Sequence, residues 1–432
     1  MPETLRSRMA VGLNGGFSTC FLIDLDVDAT KFRVMVDSGS TDLTLPTRGI
    51  NNYAGPMLPL PRPPGATLFN VTYGDGSGWS GFNARGSVAV SGSTVRAADA
   101  PLVAIVQQTT NPVYTTGVDT QGLLGLAYAG LSSAAGSPAT VVDAWVASGS
   151  MPANQIGFHA CPYALANDSF IDFGNTDPPR ACVAPGASPV TVWAPSPARS
   201  YFTVDLRGID VAGIRVASQS VATTTVIDSC TNGLIVPAAA YEALISGILS
   251  SKALATSTTT QSVAAAALLA GSPVSPADLG VNWELLPTLS FEIASDEHDP
   301  ADSSVFLGFT IVLGPRQYIQ TDATGSLYQG TDAFIILGIP LFNNLFILLD
   351  RDAGRIGFGP GCGCAAGAVD AYPQIIAPRA SGSNGTRSGS AADPMASVGP
   401  GVPSAARRAG GSGSAGLAVL VAAAGAVLLF AL

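Results

Sequence analysis

The sequence predicts a mostly β protein built from two related halves, and three observations carry that prediction. Val, Thr and Ile recur in short alternating runs such as SVAVSGSTV and PVTVWAP, the pattern of strands with one buried face. Glycine (49) and proline (31) are abundant and fall between those runs, as turns between short strands require. A weak internal repeat then divides the chain. FRVMVDSGSTDLTLP (32–46) and TTVIDSCTNGLIVP (224–237) each run an apolar, β-branched segment into an aspartate flanked by small hydroxyl residues. Each is followed later by an apolar element ending near a glycine, LLGL at 123–126 and IILG at 335–338.

The elements follow from this pattern in order. Residues 12–359 read as folded, and SYFTVDLRGIDVAG (200–213) restarts the strand alternation at the head of the second half. Helical patterns are few: 138–152, and AAAYEALISGIL (238–249) after Pro237. We divide the chain into a first lobe with Asp37 at 1–190 and a second lobe with Asp228 at 191–360. A stalk rich in Gly, Ser and Pro follows at 361–416, and an apolar segment at 417–432.

With 432 residues, 47% hydrophobic and 12% charged, the chain can bury a large core. Acids outnumber bases 30 to 20, and Lys31 and Lys252 are the only lysines. That balance disfavours a nucleic-acid partner and limits positive self-repulsion in acid. Six cysteines do not define a disulfide framework. Cys161 and Cys182 bracket a turn-rich stretch and are expected to close one loop. Sequons stand at Asn70, Asn167 and Asn384.

The first 20 residues hold no apolar run that would serve as a signal peptide. The end of the chain carries a membrane signal instead. GLAVLVAAAGAVLLFAL (416–432) is uncharged, preceded by a polar spacer and by small residues at Ser404, Ala405 and Ala406. This is the layout of a GPI-anchor signal, and the run is short for a spanning helix of about 20 residues. A tail-anchored helix remains the other reading.

The paired aspartates carry the chemistry. Two carboxyls held within a few ångströms cannot both ionise easily, so one keeps a proton and its neighbour loses one. Such a pair supplies a base for a water and an acid for a carbonyl oxygen, without a covalent intermediate. A single D-[ST]-x-[ST] is ordinarily a turn or capping aspartate. The duplication is what argues for a site.

On these residues the chain resembles the pepsin-like aspartic proteases, over roughly 12–359. Asp37-Ser38-Gly39-Ser40 matches the family pattern in full. VTYGDGSGWSG (71–81) resembles the family's flap, a hairpin closing over substrate, and FIILGIPLFNNLFILLDRDAGRIGFG is the most specific single match. The resemblance implies two β lobes facing across a cleft, with Asp37 and Asp228 catalytic. It implies that Ser40 and Thr231 bond the carboxylates and that Ser38 and Ser229 brace the two loops. Tyr73, with Gly74, Asp75 and Trp79, would form the flap and contact substrate. The GLAYA run, Trp79, and Thr44 where pepsin has a tryptophan lean toward the membrane-anchored β-secretase-like branch.

Cys230 departs from the family, which has glycine there. Its backbone N–H is retained, but its Cβ and sulfur need room in a packed loop, and free and buried it would act as a small hydrophobe. Two functions therefore stand: an endopeptidase, or an inactive surface binding protein on the same fold. A glycosidase using the same carboxylates lacks sugar-stacking aromatics, with four tryptophans in the chain. G-x-G-x-x-G at 76–81 is followed by a strand-like run and not the helix a dinucleotide needs. No cofactor and no metal are expected. The expected partners are a peptide or protein substrate and a membrane, for a monomer at the cell surface or in the secretory pathway.

Overall fold

The computed structural model describes residues 10–15, 20–73, 76–110, 113–114, 120–132, 139–161, 168–174, 191–218, 224–253, 282–299, 302–319, 327–329, 334–361 and 373–376. Gly74, Asp75, Asn167, Cys182, Asn384, the apolar tail segment and most of the expected stalk lie outside these, but within that stalk Gln374–Ile376 is a strand paired with Asp302–Leu313, because its backbone completes the edge of a sheet. Among the described residues no helix is long and apolar enough to cross a membrane. Strands dominate, and they form four sheets of eight, six, five and five strands.

The eight-stranded sheet belongs to the first half. Phe21–Val27 pairs antiparallel with Thr30–Asp37, and Thr30–Asp37 pairs parallel with Leu123–Gly125. The second half repeats this arrangement in a five-stranded sheet, where Thr224–Ile227 pairs parallel with Phe334–Leu337. Both aspartates thus stand at the ends of strands whose parallel neighbours are the LLG and IIL elements of the repeat. Leu43–Pro46 and Leu234–Val236 then pair antiparallel with those same neighbours.

The six-stranded sheet draws on both halves. Gln155–His159 and Phe170–Phe173 from the first segment join Leu345–Asp350, Arg355–Pro360 and Val192–Pro195 from the second. All six residues of Leu345–Asp350 are buried. A nearly unbroken apolar run suits a strand paired on both sides and covered on both faces. Beneath it, Phe158 packs edge-on against Phe21 and Phe342 at 5.7 and 5.2 Å.

Both expected helices form. Val141–Ala147 begins with a capping box in which Thr140 accepts from the Asp143 N–H and Asp143 accepts from the Thr140 N–H. Ala238–Ser250 buries Ala240, Tyr241, Leu244, Ile245 and Ile248, one face at helical spacing.

Candidate active site

Asp37 and Asp228 close their strands with both carboxyls buried and near enough that the charge of Asp228 bears on Asp37. Two loops of nearly the same design present them. Gly39 N–H donates to Asp37 Oδ1 at 2.8 Å, and Cys230 N–H donates to Asp228 Oδ1 at 2.8 Å. Ser38 and Ser229 lock the loops reciprocally. Ser38 N–H donates to Ser229 Oγ at 3.0 Å and Ser229 N–H to Ser38 Oγ at 2.8 Å. Each hydroxyl then donates across the site to the other half, Ser38 Oγ to Ile227 O and Ser229 Oγ to Val36 O. Four hydrogen bonds therefore tie strand ends that lie far apart in sequence.

The loops are seated by glycine. A Cβ on Gly125 would lie 2.3 Å from the Thr41 carbonyl carbon, and one on Gly338 would lie 2.1 Å from Gly233 O. Only a residue without a side chain lets these backbones approach so closely. Leu126 N–H donates to Asp37 O, and Asp228 N–H to Leu337 O.

The two carboxyls are not equivalent. Burial pushes Asp37 well above its ordinary range, and the neighbouring Asp228 charge adds to that rise. Burial also raises Asp228, but the Cys230 N–H, the Thr231 hydroxyl and the Thr231 N–H oppose the rise. Thr231 Oγ1 donates to Asp228 Oδ2 at 2.7 Å. Ser40 Oγ is buried and favours the charged form of Asp37, but from beyond hydrogen-bond length. Asp228 thus accepts three hydrogen bonds where Asp37 accepts one, so negative charge is better accommodated on Asp228.

Tyr73 follows Phe69–Thr72 in the hairpin formed with Gly78–Val90, near enough to Asp37 that a charge there helps raise its phenol. Its ring is buried, and its hydroxyl accepts from Trp79 Nε1 at 2.8 Å. Trp79 is itself 3% exposed and packs edge-on against Phe69 at 5.7 Å. The structure thus places Trp79 as the support of Tyr73. Thr44 Oγ1 hydrogen-bonds Tyr114 OH at 2.6 Å in the same apolar cluster. The side chain of Gln108 fixes Tyr114 at both its N–H and its carbonyl. Burial pushes the Tyr201 phenol up to about 12, and charge on Asp228 and Asp37 adds to the rise.

Cys230 is not a free thiol. It is bonded to Cys20 across 210 residues of sequence. Its side chain is housed because Cys20 receives it, and its N–H still serves Asp228. Cys161 is also disulfide-bonded, while its expected partner Cys182 lies outside the described residues. The residues that the sequence reading passed over are Cys20, Tyr114 and Tyr201. A tally of six cysteines was the only sign of Cys20.

Among the described residues no group of three or more His, Cys, Asp or Glu is placed to hold a metal ion. A surface groove lined by Val211, Ile214, Ala243, Leu285 and Pro287 shares no residue with the aspartate pair.

A family model described as eukaryotic aspartyl protease matches residues 63–361. The chain belongs to this aspartyl protease family. The match spans Tyr73 and Asp228 and begins after Asp37, so it is the geometry that joins Asp37 to the site of this aspartyl protease. No curated protein matches the chain.

Proposed function

We propose that this chain is an endopeptidase that cleaves peptide bonds with a water activated between Asp37 and Asp228. The observation that carries this reading is the pair of buried carboxyls at two matching strand ends, presented by loops that the two serines lock together. Asp228, ionised and supplied with three hydrogen bonds, takes a proton from the water. The water oxygen attacks the peptide carbonyl carbon while Asp37 gives its proton to the carbonyl oxygen. The resulting gem-diol collapses as Asp228 passes its new proton to the amide nitrogen and Asp37 recovers one from a diol hydroxyl. The C–N bond breaks to a carboxylic acid and an amine, and both aspartates return to their starting states. Tyr73 closes over the substrate, and the two halves form the lobes of the cleft that receives it.

The binding-protein reading rested on the space Cys230 requires. Its bond to Cys20 and its retained N–H favour the active reading. Disulfides persist in oxidising compartments, which supports a secretory or cell-surface enzyme; the apolar segment at 417–432 would anchor it and the sequons would carry its glycans. The Trp79–Tyr73 bond, with Thr44 beside it, supports a place near the β-secretase-like branch.

The test is digestion of an unbiased peptide pool from about pH 3 to about pH 7, beside folded Asp37→Asn and Asp228→Asn forms. Cleavage by the wild type and by neither variant is the expected result. Cleavage that survives in either variant overturns the mechanism.

A further inference from the structure

The two aspartate loops make the same hydrogen bond under different constraints. A Cβ at Gly39 would lie 2.5 Å from Asp228 Oδ2, so that loop is pressed against the opposite carboxylate and admits no side chain. Cys230 does carry a side chain and commits it to Cys20, with the two Cα atoms 4.9 Å apart. The first loop is held in place by close packing, and the second by a covalent bond.

The far end of that bond is equally specific. The antiparallel ladder pairs Leu22 with Met35. Cys20 lies two residues beyond Leu22, just as Asp37 lies two beyond Met35. Cys20 therefore stands at the Asp37 end of the first hairpin and is bonded into the loop that carries Asp228. It also adopts φ 54°, a left-handed conformation that a residue with a Cβ disfavours. Cys20 and Cys230 are 5% and 0% exposed, in one cluster with Tyr73 and Tyr114. A bridge added only to strengthen the fold could stand anywhere. This one joins the Asp37 end of the first hairpin to the Asp228 loop, in the cluster that holds Tyr73.

We propose that Cys20 is a positioning residue for the reaction: through its bond to Cys230 it holds the N–H that Asp228 accepts and fixes the two aspartate loops against each other. The proposal rests on the peptidase reading above. It predicts that severing the bridge slows turnover in protein that is still folded.

The experiment measures kcat and KM for wild type, Cys20→Ala/Cys230→Ala and Cys20→Ala/Cys230→Gly, each well below its own melting midpoint. Both double variants keep the N–H at position 230 and lose only the bond. The expected result is at least a tenfold fall in kcat with KM changed less than about twofold. Unchanged kcat in the folded variants, with only the melting midpoint lowered, overturns the proposal and reduces the bridge to a structural staple. If the variants do not fold, wild type reduced to graded extents by a phosphine serves, with each thiol quantified by alkylation and mass spectrometry. Activity must then fall with the intact Cys20–Cys230 fraction while circular dichroism is unchanged. Loss of activity only alongside loss of the fold overturns it. A wild type that cleaves nothing fails the peptidase reading itself, a different outcome from an active wild type whose variants match it.

Discussion

Arg351 and Asp143 pair across 208 residues of chain, with Nη1 2.6 Å from Oδ1 and the arginine side chain 1% exposed. The guanidinium also donates to Asn154 Oδ1 and to the carbonyl of Ala127, and it lies against the Tyr128 ring. Ala127 N–H in turn donates to Ser40 O in the first aspartate loop. One buried cation thus joins the loop after the long central strand, the capped helix, and the backbone beside the site.

Removing one partner of such a pair is costly when it strands the other in the interior. Asp143→Ala leaves a buried guanidinium with neutral acceptors and also breaks the capping box, so we expect a loss of about 3–5 kcal/mol. Arg351→Met removes the buried charge itself and leaves an aspartate that water can reach, so it should cost less. Urea unfolding of both variants gives the order. The reverse order would mean that the bonds to Ala127 and Asn154 outweigh the ion pair.

The aspartate pair makes stability depend on pH. Asp37 is raised from 3.8 in the folded state. Between 3.8 and its folded value the native protein therefore binds a proton that the unfolded chain has released. That contribution is full below 3.8 and is lost as pH rises through the folded value. Thermal unfolding of Asp37→Asn across this range should show a shallower decline, with only the smaller rise of Asp228 left to produce it. A variant curve parallel to the wild type would show that Asp37 is not the group responsible.

His159 acts in the opposite direction. It is fully buried, and burial lowers it from 6.5 to about 4. The unfolded chain takes up its proton first, so stability is full above 6.5 and falls as pH drops toward 4. The loss approaches about 3 kcal/mol once both forms are protonated. His159→Gln should flatten the acid limb of the same curve, whatever constant cost it imposes. If the limb keeps its slope, another group sets it.

Trp79 and Tyr73 should act as one unit. A buried hydrogen bond of this kind contributes on the order of 1 kcal/mol, so Trp79→Phe and Tyr73→Phe should each weaken kcat/KM by about fivefold. The double variant should be little worse than either single one. Strict additivity would show that the indole supports something other than the phenol.

Strand alternation turns Asn70 and Thr72 outward and Val71 inward, on the edge strand of the eight-stranded sheet. A sequon with both recognition residues on one exposed face is accessible to the glycosylation machinery. Protein made in a eukaryotic secretory host should lose mobility-detectable glycan at this position in Asn70→Gln. Identical migration of the two forms before deglycosylation would rule out the site.

Much of the site was legible because it depends on local rules. A β-branched run before each aspartate marks a strand end, and the glycines at 125 and 338 mark places where backbones touch. The repeat of these signals located both loops and their parallel neighbours. What could not be read depends on distant pairing. Nothing near Cys20 or Cys230 names its partner, because spacing constrains only bridges between neighbouring segments. Similarly, Gln155–His159 and Phe170–Phe173 precede the point where the sequence pattern restarts, yet they share a sheet with Leu345–Asp350. A strand's neighbour is chosen by tertiary packing, which the strand's own pattern does not encode. Trp79 drew notice as an aromatic of the hairpin, and only the placed side chain shows it turned inward to Tyr73.

The 210-residue span of the bridge also orders events during synthesis. When Cys20 leaves the ribosome its partner has not yet been made, and Cys161 emerges well before Cys230. If the chain is made into the oxidising compartment proposed above, Cys20 has to wait for Cys230 while the first half folds around it. The bond can close only after the second loop has docked, so oxidation of Cys20 marks a finished molecule. Thiol-trapping of newly made chains would find this cysteine among the last to become unreactive.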